Sequence, residues 1–415
     1  MTEAAASPAD PSSVEGAKPK RERLLSLDVM RGLTILAMIL VNNPGTWDPG
    51  GRYAALDHAA WHGCTPTDLI FPFFLFMVGV AMAYSFARYT DGDGRATPAV
   101  WARIGRRVAT LIALGLFLNA SGRLISVPLG YSDNWGWETL RWPGVLQRIG
   151  LVYLIASMIV LRNRQPIGRF VSGLSLLVLY TLLVSFYPQE VPAAERLGKE
   201  TNVVRSVDLA VLGENHLWGG SPTDPEGSLS TLPAAVTTLL GYAIGRFLRT
   251  APLNGVRVLR IAGTGLPLAI AGYVWGELPH PGIGMPVNKA LWTPSFVWLT
   301  GGLAMLVLAA CLAVFDLWGK NAAVIRRVAT AFEMVGVNAI FVFVASGFVA
   351  RMLGIFEIGE TSVKGWLYQN LCVEPLTSVG LADVRLHSLA YAAGFVACWW
   401  CVLWAMWRRG WSIRV

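Results

Sequence analysis

Residues 69–87 read LIFPFFLFMVGVAMAYSFA, an apolar run without one formally charged side chain. A helix rises about 1.5 Å per residue, so a run of this length crosses the ~30 Å hydrocarbon core of a bilayer. Working outward, comparable runs fall at 32–47, 107–122, 143–161, 170–187, 229–247, 260–277, 293–315, 330–353 and 388–407, about ten spans in all. The composition agrees, with 54% hydrophobic and 14% charged residues among 415 and a mean hydropathy of +0.49. The chain therefore reads as an all-α, polytopic membrane protein. That reading excludes a soluble enzyme, a nucleic-acid binder and a disordered scaffold, in spite of a formal charge of +8.

Topology explains the excess of positive charge, because Lys and Arg accumulate in cytoplasmic loops. With the N terminus inside, about two thirds of the 34 Lys and Arg residues fall in inner segments, so both termini are expected in the cytoplasm. Residues 1–22 are rich in Ala, Pro and Ser and lack an apolar core. They read as a disordered cytoplasmic tail, and 23–415 as a single transmembrane domain in a multi-pass protein of the cell's inner (plasma) membrane. Of the five cysteines, only Cys64 and Cys372 fall in outer loops, where one bridge is conceivable. No Walker loop, no Gly-x-Gly-x-x-Gly after a strand and no His-Glu-x-x-His occurs.

The polar residues of 40–72, LVNNPGTWDPGGRYAALDHAAWHGCTPTDLIFP, stand where membrane chemistry can use them. Asn42 ends the first span, His58 and His62 occupy the next outer loop, and Asp68 opens the second span. On a helical turn the two histidines would share a face, but two ligands without a third do not make a zinc site, and no metal is expected. A charge inside a span is costly. Arg148, in RWPGVLQRIGLVYLIAS, therefore either pairs with Asp68 or binds an anionic or carbonyl group. Glu333 and Asn338 in the ninth span are similar polar intrusions that can tie helices together.

Several strings, in one order, resemble the heparan-alpha-glucosaminide N-acetyltransferase family of transmembrane acyltransferases. They are RLLSLDVMRGLTILAMILVNNPG, LDHAAWHGCTPTDLIFPFFLFMVG, RWPGVLQRIGLVYL, LAVLGENHLWGG, DPEGSLSTLPAAVTTLLGYAIGR, GMPVNKALWTPSFV and VGVNAIFVFV, spread from residue 23 to the last helices. The resemblance implies transfer of an acetyl group from acetyl-CoA, as co-substrate, to the amine of a glucosamine-type sugar across the membrane; a homodimer fits the family. It places the catalytic histidine on His58, in a His-Ala-x-Trp context, and the asparagine of the preceding helix on Asn42. The family's lysosomal N-terminal extension and extra helix are missing from this sequence, which fits a bacterial-type protein.

Acyl transfer to an amine needs a base and a donor to the oxyanion. An imidazole, with a pKa of about 6.5 in water, can serve as the first and an amide N–H such as that of Asn42 as the second. Asp68 or Asp57 can orient the ring. Direct transfer and a covalent acetyl-histidine are both open at this stage. Arg31, Arg106 and Arg107 lie where the phosphates of a cytoplasmic CoA would enter, with Arg148 as a further anion contact. The outer segment 188–228 contributes His216, Asp224 and Glu226 as a rim for a cationic amino sugar, and Asn288 and Lys289 of the next outer loop, together with His62, complete the set of acceptor contacts. The competing reading is a secondary transporter of an amino sugar or small glycan. It expects two halves with interrupted helices in corresponding places.

Overall fold

The computed structural model describes residues 24–90, 96–319 and 321–413. The tail expected over 1–22 lies outside the described residues. The molecule is a bundle of long helices, with one two-residue hairpin pairing Glu357–Ile358 with Thr361–Ser362. Among the described residues nine helices are long and apolar enough to cross a membrane, and a bent pair brings the number to ten.

In chain order the helices used below are α1 (Leu25–Asn42), α2 (Ile70–Ser85, led in by a 3-10 turn over Pro66–Leu69), α3 (Pro98–Ser126), α4 (Val145–Arg162), α5 (Pro166–Phe186), α6 (Val203–Leu212), α7 (Thr231–Thr250), α8 (Gly255–Glu277), α9 (Pro294–Cys311), α10 (Ala323–Val337), α11 (Ala339–Ile355), α12 (Val363–Tyr368) and α13 (Val384–Arg408). Prolines at the first turn open α3, α5 and α9, where a missing N–H costs nothing. Asn202 and Asn254 cap α6 and α8 by accepting from the N–H groups of Arg205 and Arg257. The first two N–H groups of α1 donate instead to Asp316, at 2.8 and 3.0 Å, so a residue 290 positions away caps this helix.

Two boundaries differ from expectation. The first span ends at Asn42 and not at 47, because the residue before Pro44 is disfavoured in helical conformation. The ninth is not one helix: α10 and α11 meet at 71° on either side of Asn338. Asn338 is fully buried; its amide donates to Met334 O at 3.0 Å and its carbonyl oxygen accepts from Ile413 N–H at 2.9 Å. An amide inside an apolar run thus serves as the joint between two helices and the C-terminal segment. A transporter built from two five-helix halves would break the fourth span correspondingly, yet α4 is a single 18-residue helix.

The centre of the bundle is the crossing of α2 with α7, and it decides where Asp68 sits. A Cβ on Gly79 would lie 1.9 Å from Thr238 O, and one on Gly241 1.9 Å from Phe76 O. Small residues let two backbones approach this closely in lipid. Gly241→Leu is therefore expected to cost about 3 kcal/mol or more and to abolish the monodisperse peak of detergent-extracted protein in size exclusion. Gly105→Ala, whose Cβ would meet nothing within 4 Å, should elute as wild type does.

Candidate active site

At the end of the bundle where α1 terminates, a cavity of about 790 Å³ opens among α1, the 58–68 segment, α3, α4, the 218–226 loop, Lys289 and α11. His58 faces it. The segment that carries His58 is not helical, so His58 and His62 do not share a face; His58 lines the cavity, whereas His62 does not. Capping geometry around Thr65 and Asp68 folds 58–68 back on itself. Asp68, 1% exposed at its side chain, accepts from the N–H groups of Ala59 at 3.1 Å and Thr65 at 3.0 Å.

His58 Nδ1 lies 2.7 Å from Asp68 Oδ1. A carboxylate already ringed by donors has no proton to give, so the ring N–H at Nδ1 is the donor, which leaves the Nε2 lone pair as the basic site. Lys289 Nζ stands 3.5 Å from Asp68 Oδ1, and 3.2 and 3.4 Å from the two ring nitrogens of His58. Near-equal distances to both nitrogens place the ammonium over the ring and off the line of either lone pair. Burial pulls Lys289 below its ordinary value, although the charges of Asp68 and Glu226 act to hold it up. The loops are fastened by Gly63 N–H donating to Val287 O at 2.7 Å and by Asn288 Nδ2 donating to Trp61 O at 2.9 Å.

Asn42, the last residue of α1, is exposed to the cavity. Glu226 lines it too, but both Glu226 and Asp224 are engaged with a cation of this chain. Arg141 makes a bidentate pair with Asp224, 2.9 and 2.5 Å, and reaches Glu226 at 2.6 Å. Asp224, fully buried, is thus not presented to an acceptor amine. His216 stacks on Trp142, centroids 3.9 Å apart, and supports the wall from outside. Asn288 is buried in its own loop, its Oδ1 accepting from Leu291 N–H at 2.9 Å. His62 meets Asn288 at 3.3 Å, and burial together with His280 lowers its pKa.

The ion pair between Arg148 and Asp68 does not form. Arg148, 1% exposed, donates to Gly227 O at 3.0 Å and to Ser230 Oγ, with its guanidinium 5.3 Å from the Trp292 ring centroid. It braces the loop that carries Glu226 and is not among the cavity's lining residues. Arg31, Arg106 and Arg107 belong to the opposite ends of α1 and α3: thirteen positions, about 20 Å of helix axis, separate Arg106 from Asn119, which lines the cavity. Arg31 is held by Asp28 at 3.2 Å and Arg107 lies over the Tyr153 ring. The sequence reading passed over Arg141, Trp218, Gln147, Arg351 and Lys364, all of which line the cavity. Arg141 stood in the RWPGVLQR string, two positions before the expected start of a span, and its acids lie more than 80 residues away.

Residues 23–272 match the family described as Heparan-alpha-glucosaminide N-acetyltransferase, catalytic. The chain belongs to this family. Two curated proteins named heparan-alpha-glucosaminide N-acetyltransferase are similar to it. The one from Homo sapiens is 25% identical over 365 residues, covering 78% of this chain and 52% of the relative. The one from Mus musculus is 26% identical over 385 residues, covering 81% and 56%. The chain spans about half the length of the curated relatives it matches. Within the N-acetyltransferase family match lie Asn42, His58, Asp68 and Arg141, while Lys289, Arg351 and Lys364 lie beyond residue 272.

In this family member all five cysteines are free, so the bridge conceivable between Cys64 and Cys372 is not made. Cys64 sits behind the His58 segment, where burial and then the charge of Asp68 push its thiol up to about 12. Only the thiolate is nucleophilic. At pH 8 the folded protein is expected to alkylate at Cys64 on the order of 10³-fold more slowly than the unfolded chain. The rate should climb about tenfold per pH unit toward pH 12. Peptide mass spectrometry after iodoacetamide pulses measures both; equal rates in the folded and unfolded states would remove this electrostatic account.

Proposed function

We propose that this chain transfers an acetyl group from acetyl-CoA to the amine of a glucosamine-type sugar on the outer side of the membrane. The observation that carries the reading is the His58–Asp68 pair at the wall of a deep cavity, in a membrane protein of an N-acetyltransferase family.

The acceptor amine attacks the thioester carbonyl carbon while His58 Nε2 takes its proton. A C–N bond forms, and the oxyanion of the tetrahedral intermediate is met by the Asn42 amide N–H and the Lys289 ammonium. Collapse breaks the C–S bond, and the departing CoA sulfur recovers the proton from His58. Asp68 keeps Nδ1 protonated throughout and so fixes which nitrogen is basic. Arg31, Arg106 and Arg107 receive the donor's phosphates at the inner ends of α1 and α3, and the pantetheine arm runs between the helices toward His58. Both termini lie in the cytoplasm, and the protein resides in the inner membrane.

Purified protein in nanodiscs is expected to move label from radiolabelled acetyl-CoA to glucosamine or to glucosamine-terminated oligosaccharides. Binding of acetyl-CoA without transfer to any amine would overturn the acceptor class. No binding of acetyl-CoA at all would overturn the reaction.

A further inference from the structure

The cations lining the cavity are not equivalent. Arg141 is neutralised by Asp224 and Glu226, and Lys289 faces Asp68. Arg351 on α11 and Lys364 on α12 line the same cavity, and neither has a carboxylate partner among the described residues. Arg351 Nη1 donates to Gly347 O, one turn back on its own helix, at 2.9 Å. Lys364 Nζ stands 5.8 Å from the centroid of Tyr391, a third lining residue on α13. Burial pulls Lys364 below its ordinary value, and no neighbouring anion counters it. Arg351 is exposed and Lys364 half-buried, and a guanidinium and an ammonium that line one cavity together with a phenol match an anion with several acceptor oxygens.

We propose that Arg351, Lys364 and Tyr391 form a subsite for a phosphate-type anion, so that one of the two reactants brings a phosphoryl group into this wall of the cavity. The inference rests on the acetyl transfer proposed above in two respects, the identity of the two reactants and the donor's phosphates at the inner ends of α1 and α3. Two sources share the chemistry: the phosphates of the donor, and a phosphoryl group on the acceptor. The donor's phosphates are placed at the far ends of α1 and α3, which leaves the subsite to an amino sugar that carries a phosphate.

The first measurement is titration of the full chain in phosphatidylcholine nanodiscs with inorganic phosphate, followed by ³¹P line broadening of the free anion. Affinity is expected to fall by roughly 10-fold or more in Arg351→Gln/Lys364→Gln and to be retained in Lys364→Arg. Equal broadening by wild type and the double variant, or none by wild type, overturns the subsite. The second measurement assigns the source. With the phosphate on the acceptor, wild type prefers glucosamine 6-phosphate to glucosamine in kcat/KM by roughly 10-fold, and the preference collapses toward one in the double variant. With the phosphate on the donor, KM for acetyl-CoA rises in the double variant by the same factor with either acceptor. A double variant that changes neither quantity overturns the proposal. Should wild type acetylate neither sugar, the amino-sugar acceptor of the acetyl-transfer reading fails and the phosphate titration alone decides the subsite.

Discussion

His58→Ala is expected to lower kcat for acetyl transfer by roughly 10²- to 10⁴-fold, the range over which positioned general bases act, with KM for acetyl-CoA within a factor of about three. The side chain is half exposed and belongs to none of the hydrophobic clusters, so the variant should extract and elute as wild type does. The loss then reports chemistry and not folding. The same pair of proteins separates the two routes to product. Acid quenching after exposure to labelled acetyl-CoA without acceptor should leave wild type unlabelled if transfer is direct. Stoichiometric label on wild type that is missing from His58→Ala would mean an acetyl-histidine. Transfer by the alanine variant at a wild-type rate would take His58 out of the mechanism.

Asp68→Asn is the second large effect, and its cause is different. The amide is neutral, and it cannot accept on both sides: one of its termini must turn donors toward either the imidazole N–H or the Ala59 and Thr65 N–H groups, now served at 2.7, 3.1 and 3.0 Å. Lys289 meanwhile loses its counter-charge 3.5 Å away. Loss of the orienting carboxylate behind a catalytic histidine costs up to about 10⁴-fold in the serine proteases, and a fall in kcat of about 10²- to 10⁴-fold is expected here. Because Asp68 acts through His58, the double variant His58→Ala/Asp68→Asn should be little worse than the poorer single one. Multiplicative losses would mean that the two residues act independently and that the dyad is not a unit.

The bundle was legible in the sequence because lipid leaves the backbone few options: each span must satisfy its own hydrogen bonds over about 20 apolar residues, and runs such as 69–87 announce themselves. The bend at Asn338 was less so, since neither Pro nor Gly stands at the break; its one signal was an amide within VGVNAIFVFV, and the partner that makes it a joint, Ile413, lies 75 positions on. His58 and Asp68 are ten residues apart and could be read together. Lys289 reaches His58 across 231 positions, and Arg148 finds Gly227 across 79, pairings that no local pattern encodes. The acids of 224–226 looked like a lure for a cationic sugar when read alone, and the fold instead sets Arg141 between them.

The bond from Ile413 N–H to Asn338 also makes the C-terminal segment a strut beneath α11, the helix that supplies Phe343, Gly347 and Arg351 to the cavity wall. Deleting residues from Ser412 onward, or fusing a rigid partner close behind, would load that joint at its fulcrum. An affinity handle or fluorescent reporter attached there would alter the lever that shapes the cavity while leaving every residue of the His58–Asp68 pair in place.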